Sequence, residues 1–286
     1  MPTLTGIHTD NRRLEKRITA ATAKVAIQDV RSIDLSEFPK AAKCRELVLN
    51  PVKTIDVGPL AGHPALESIQ LTLPGRPDLS PLARCPQLRE LELNYVGSEP
   101  VDLSTVGIGP QLTKLTISSK MGRLDLTPLA QAQTITKLDL SAATVLDLAP
   151  VRRMSGVRTL TLQGTAPRYD LAPLAGMPLE HFFLSANGWK EVDLTPIAVP
   201  TLQQLAIIPL DVTTLNLDPL AACTSLQVVS LAPGYASILR LTGLAGLANL
   251  HTIRFPSYVD LVCHADPKSI ACVPLREHLR HPRSGI

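Results

Sequence analysis

One phrase recurs along this chain at almost constant spacing, and it limits the fold more than any other feature. Asp-Leu-x-Pro-Leu-Ala appears as DLSPLA at 78, DLTPLA at 125 and DLAPLA at 170, with DVGPLA at 56 and DLTPIA at 193. Looser copies are DLSEFP at 34, DLSTVG at 102, DLAPVR at 147, NLDPLA at 216 and RLTGLA at 240. Their second residues, from Leu35 to Leu241, are separated by 22, 22, 24, 23, 22, 23, 23, 23 and 24 residues. So regular a period of this length is the signature of a stack of coils, in which each copy buries its apolar side against the next.

A second phrase lies between the copies: an apolar residue, two variable ones, then Leu-x-Leu. It reads LRELEL at 88, ITKLDL at 135, VRTLTL at 157, LQQLAI at 202 and LHTIRF at 250. Residues i and i+2 share one face of a strand, so Leu91 and Leu93 are expected to point inward, with Glu90, Glu92 and Asn94 toward solvent. The proline phrase predicts a short helical turn, because proline fixes φ near −65° and suits the first turn. Ser80, Thr127 or Thr195 before it is expected to cap that turn.

Composition fits this reading. Of 286 residues, 45% are hydrophobic but only nine are aromatic, so the core must be aliphatic. Proline numbers 25, and the phrase, which holds it in seven of ten copies, accounts for much of that excess. The apolar content excludes a disordered chain, and a net charge of +3 argues against a dedicated nucleic-acid binder. No segment has the roughly 18 consecutive apolar residues of a membrane span, so no membrane partner is expected. Residues 1–30 carry no apolar signal core, and the five scattered cysteines read as reduced thiols, so a cytoplasmic setting is expected. Cys263 and Cys272 alone are placed to pair, across CHADPKSIAC.

Together the two phrases resemble the leucine-rich repeat family in its short bacterial form, typified by internalins, over residues 24–260. The resemblance implies an α/β repeat solenoid: an arc with a parallel concave β-sheet and short helical turns on the convex side. It also implies partner binding rather than catalysis. The sequence departs at the asparagine the family places three residues past the last strand leucine. Val52, Val96, Lys120, Ala143, Thr165 and Leu210 occupy those places, and only Asn187 fits. Residues 34–260 are expected to form about ten coils, with an N-terminal cap at 1–33 and a C-terminal cap and basic tail at 261–286. Val25-Ala26-Ile27 reads as an extra first strand. Leu14, Ile18, Ala21 and Val25 lie at helical spacing and suggest a covering helix over Asp10–Ala23.

In such a stack, equivalent residues form columns about 4.8 Å apart. Asp34, Asp56, Asp78, Asp102, Asp125, Asp147, Asp170 and Asp193 form an acidic one. Either each carboxylate accepts a backbone N–H of its own turn, which is favoured, or the row binds cations, although no glycine-rich calcium loop accompanies it. On the concave face Phe183, Ala206, Ile208, Val228 and Ala232 are expected to form an apolar patch, beside His181 and with Arg254 in the central column. Trp189, Tyr235 and Tyr258 follow concave strands; they either line one lip of that face or fill gaps left by the missing asparagines. Among the histidines, His8, His63, His181, His251, His264, His278 and His281, no pair has metal-ligand spacing, and no phosphate loop or nucleophile elbow occurs.

The sequence therefore points to a non-catalytic protein-binding module without cofactor or metal, monomeric when free. It is expected to grip a protein partner through Phe183, Ile208, Val228, His181, Trp189, Tyr235, Tyr258 and Arg254. An inhibitor or immunity-type role is the leading version. An effector exported without a cleavable signal and a structural spacer are the alternatives.

Overall fold

Alternation of apolar and polar residues sets the strands, and they fall where the Leu-x-Leu phrase puts them. The computed structural model describes residues 3–19, 21–73, 75–97, 101–104, 106, 108–119, 124–142, 147–164, 169–186, 189, 192–210, 214–233, 238–240 and 242–254. The chain divides into two compact units, Met1–Leu146 and Asp147–Ile286.

In the N-terminal unit the strands are β1 (Thr3–His8), β2 (Arg13–Arg17), β3 (Lys24–Asp34), β4 (Glu46–Ile55), β5 (Ser68–Leu73), β6 (Glu90–Tyr95), β7 (Lys114–Ser119) and β8 (Lys137–Ala142). From β3 to β8 each strand pairs in parallel with the next, in the register the repeat implies: Glu46 with Ser68, Ser68 with Glu90, Glu90 with Lys114 and Lys114 with Lys137. The inward columns, Val25-Leu47-Ile69-Leu91-Leu115-Leu138 and Ile27-Leu49-Leu71-Leu93-Ile117-Leu140, are buried throughout. Such burial of aliphatic side chains is the main stabilising term of the stack.

The C-terminal unit repeats the plan with β9 (Thr159–Gly164), β10 (His181–Ala186), β11 (Gln204–Leu210), β13 (Val228–Pro233) and β15 (Thr252–Arg254) in parallel order. A separate parallel pair, β12 (Thr214–Asn216) with β14 (Ile238–Arg240), runs just before the Asn-Leu and Arg-Leu phrases. Phe182 takes a leucine place in the inward column and is buried.

The proline phrases form 3-10 turns: Gly58–Leu60, Ser80–Arg84, Thr127–Leu129, Ala172–Leu174, Thr195–Ile197 and Asp218–Ala222 have proline in the first turn. The Leu or Ile after each proline is fully buried or nearly so. Their capping differs from the sequence expectation. Ser80, Thr127 and Thr195 are the first turn residues and make no side-chain cap of their own. The aspartate two residues earlier does the work instead. Asp34, Asp56, Asp78, Asp102, Asp125, Asp147, Asp170 and Asp193 each accept the N–H of the residue two places on, at 2.8–2.9 Å. Asn216 does the same for Asp218 at 3.0 Å. The acidic column is thus a set of local turns, in which a short carboxylate satisfies its own backbone.

Coils are fastened by a second recurring device. One carbonyl at each strand entrance accepts two successive N–H groups of the following coil, as Arg45 does from Glu67 at 2.8 Å and Ser68 at 2.9 Å. Glu67, Arg89, Thr113, Arg158, Glu180, Gln203 and Gln227 repeat it. Val96, at one of the places where the resemblance implies an asparagine, is 44% exposed and does not tuck inward.

The N-terminal cap is a β-hairpin and not the expected helix. β1 pairs antiparallel with β2 and, on its other side, with β3. Leu14 and Ile18 fit a helical period, but they also fit a strand, and Thr9-Asp10-Asn11 supplies the turn, with Asn11 at φ 68°. Gly6 lets β1 lie flush on β3, since a Cβ there would collide with the Ser32 carbonyl. Leu4 and Ile18 are buried and cover the apolar end of the stack.

Candidate functional site

Side chains outside the core define two unlike sheet faces. On β3–β8 the outward residues bond to one another. Gln70 Nε2 donates to Glu92 Oε1 at 3.0 Å, and Asn94 Nδ2 to the same oxygen at 2.8 Å. Thr72 Oγ1 donates to Asn50 Oδ1 at 2.6 Å. Lys114 Nζ meets Glu90 at 3.1 Å, and Lys24 meets Glu46 at 2.7 Å. Lys137 lies 3.7 Å from Asp139.

The face of the C-terminal unit has a different composition. Its outward columns run Thr159, His181, Gln204, Val228, Thr252, and Thr161, Phe183, Ala206, Ser230, Arg254, by direct strand pairing. No carboxylate stands in them. Glu180, at a strand entrance, faces Arg158 at 3.9 Å. Phe183, Ala206, Ile208 and Val228 are half-buried, with their backbones in the sheet and their side chains outward. Ala206 is central, beside Phe183 in register, two residues before Ile208, and diagonal to Val228. The pairing of β11 with β13 shifts after Ile207, where Pro209 interrupts the N–H series, so Ile208 stands at a register break. Arg254 is exposed at the far end of the Phe183 row, and His181 Nδ1 lies 3.4 Å from Thr159 Oγ1.

The aromatic residues divide sharply. Phe38, Tyr95, Tyr169, Phe182 and Trp189 are buried, and Phe183 is the one described aromatic with an exposed part. Trp189, read from the sequence as either a lip residue or a gap filler, is 2% exposed and packs edge-on to Tyr169 with ring centroids 5.3 Å apart. It therefore offers a partner no surface. Its burial against Tyr169 fits the filler alternative of the sequence reading. Tyr95 is buried as well, and its hydroxyl is pushed up to about 12 by burial and by the charge of Asp102. Tyr235 and Tyr258, with Cys263 and Cys272, lie outside the described residues; of Ala232 the described part is its backbone.

Titratable groups in the interior are structural. Cys44, Cys85 and Cys223 are buried free thiols, and burial raises all three, Cys223 to about 11. A thiol so raised is a poor nucleophile. His63 is 2% exposed, with its ring 5.2 Å from Phe38 and its Nε2 unpartnered among the described residues. Burial lowers its pKa, and a hydrogen bond with the Ala41 backbone partly offsets that. Sequence reading missed His63, although its position in the repeat is otherwise filled by residues such as Ala41, Cys85, Met154 and Met177. Among the described residues no three His, Cys, Asp or Glu side chains come together as a metal site, and no helix is long and apolar enough to cross a membrane.

No protein-family model matches the chain, and no curated protein matches it in sequence. Solved structures do. An internalin, InlF of Listeria monocytogenes, is 19% identical over 86% of this chain and 87% of its own, with a TM-score of 0.52. TLR13, in a complex with ssRNA13, is 17% identical over 87% of this chain and 41% of its own, with a TM-score of 0.56. At these identities the likeness establishes the fold. It is an internalin-like leucine-rich repeat, as the two phrases implied.

Proposed function

We propose that this chain is a non-catalytic protein-binding module that holds a protein partner on the sheet face of its C-terminal unit. The observation that carries this reading is Phe183, the one described aromatic with an exposed part, whereas the other described rings, Phe38, Tyr95, Tyr169, Phe182 and Trp189, are buried. A ring on a flat, rigid sheet, flanked by Ala206, Ile208 and Val228, is the kind of anchor around which binding energy concentrates. Nucleic acid is disfavoured as the partner, since Arg254 is the single permanent cation of those outward columns and phosphate binding needs many. The free monomer acts by covering a partner's surface, which suits an inhibitor or immunity-type role. The buried thiols support a reducing, cytoplasmic setting.

Affinity capture with the wild type beside a Phe183→Asp, Ile208→Asp double variant tests the reading. The variant should lose the partners the wild type retains while keeping its melting temperature, because both side chains face away from the core. Retention of the same partners by both proteins would falsify it.

A further inference from the structure

Phe183 and Arg254 lie in one row across the strands: Phe183 pairs with Ala206, Ala206 with Ser230, and Ser230 with Arg254. Three inter-strand steps of about 4.8 Å separate them by about 14 Å. Between the ring and the guanidinium stand only a methyl and a hydroxymethyl group, so the row is a shallow trough with an apolar end and a cationic end. His181 adds an ionisable imidazole beside the ring. No carboxylate stands in the outward columns, and among the described residues Arg254 has no ion-pair partner. On the N-terminal unit, by contrast, lysines and carboxylates on the face already neutralise one another.

Resting on the reading of this face as the docking surface, we infer that the row recognises an extended acidic segment of the partner protein. The segment crosses the strands with a large apolar side chain on Phe183 and an Asp or Glu on Arg254. An extended chain rises about 3.3 Å per residue, so about four residues span the row. An even spacing also sets both side chains on the same side of that chain. A helix does not fit. At about 1.5 Å per residue it needs nine or ten residues, and at 3.6 residues per turn those lie well round the cylinder from each other. Charge also selects against two other occupants. The chain's own residues 261–286 carry Lys268, Arg276, Arg280 and Arg283 against Asp266 and Glu277, and a second copy would set Arg254 toward a face with no carboxylate.

Selection of random linear peptides on the full chain, followed by titration of the synthetic winners, tests this. The expected winners carry an apolar residue and an Asp or Glu four positions apart. They should bind Arg254→Glu about tenfold more weakly and regain affinity when their acid is changed to Lys. Winners without that spacing, no winners, or equal binding to Arg254→Glu would overturn the inference. So would sedimentation showing self-association that Arg254→Glu abolishes. Winners that ignore Phe183→Asp would sink the docking reading itself. Sensitivity to Phe183→Asp without sensitivity to Arg254→Glu would sink only the acidic segment.

Discussion

The two units share a backbone plan and an aliphatic interior, yet their outward faces are opposites. On β4–β8, Gln70, Glu92 and Asn94 share one carboxylate oxygen, and Lys114 answers Glu90, so the face is satisfied by its own side chains. On β9, β10, β11, β13 and β15 the corresponding places hold no carboxylate and include Phe183, Ala206 and Val228, whose outward sides are apolar. The lesson concerns where freedom lies in a repeat. Inward positions are dictated by packing and are interchangeable between coils. Outward positions answer to nothing in the coil, so the difference between faces is where a role can be written.

Four measurements would break or sharpen this contrast. The largest effect is shared: Leu91→Ala and Leu160→Ala should each cost about 2–5 kcal/mol in denaturant melts, since both fill closed columns. A unit indifferent to its own substitution would end the claim that the interiors are equivalent.

Next, Glu92→Ala should cost about 1 kcal/mol by leaving two amides without their acceptor. Phe183→Ala should change stability by no more than about 0.5 kcal/mol. Equal costs at the two sites would erase the distinction between a self-satisfied face and an open one.

A smaller effect belongs to the turns of both units. Hydroxyl donation from Ser80, Ser104 and Thr127 lowers Asp78, Asp102 and Asp125 below 3.8, and the Ser36 N–H lowers Asp34. Depressed carboxylates give stability that is present above pH 3.8 and lost as pH falls through their folded values. Melting temperature should therefore drop below that pH, and Asp125→Ala should cost about 1 kcal/mol at neutral pH while flattening the drop. An unchanged acid limb in Asp125→Ala would show that this turn does not depend on its carboxylate.

The smallest concerns His63, in the N-terminal unit. Its folded pKa lies below its ordinary 6.5, so the unfolded chain takes up the proton first and stability declines as pH falls below 6.5. His63→Met, borrowing the residue used at Met154 and Met177, should flatten the decline between pH 7 and 5. The same slope in both proteins would mean that this decline does not arise from His63.

Much of this was legible because a repeat states its register many times over. The outward columns of each unit follow from counting alone, and strand pairing within each unit reproduces them. The turn aspartates were equally readable, since eight of them repeat one local geometry. The cap was not. Leu14 and Ile18 satisfy two periods, and only the Thr-Asp-Asn turn separates them, a signal without a second copy to confirm it. Trp189 stood open between a lip residue and a gap filler, and its burial against Tyr169 fits the second; spacing in the sequence does not measure depth.

Each of the eight turn aspartates serves the residue two places on in its own coil. The coil is therefore complete in itself as a unit of heredity. A duplicated or excised stretch of 22 to 24 residues carries its own turn fastening with it. Lengthening or shortening such a chain by whole coils leaves no aspartate stranded, and differences of one or two residues between coils, from 22 to 24, leave the turn bonds intact. Nine nearly even intervals are what a history of such whole-coil steps would leave behind.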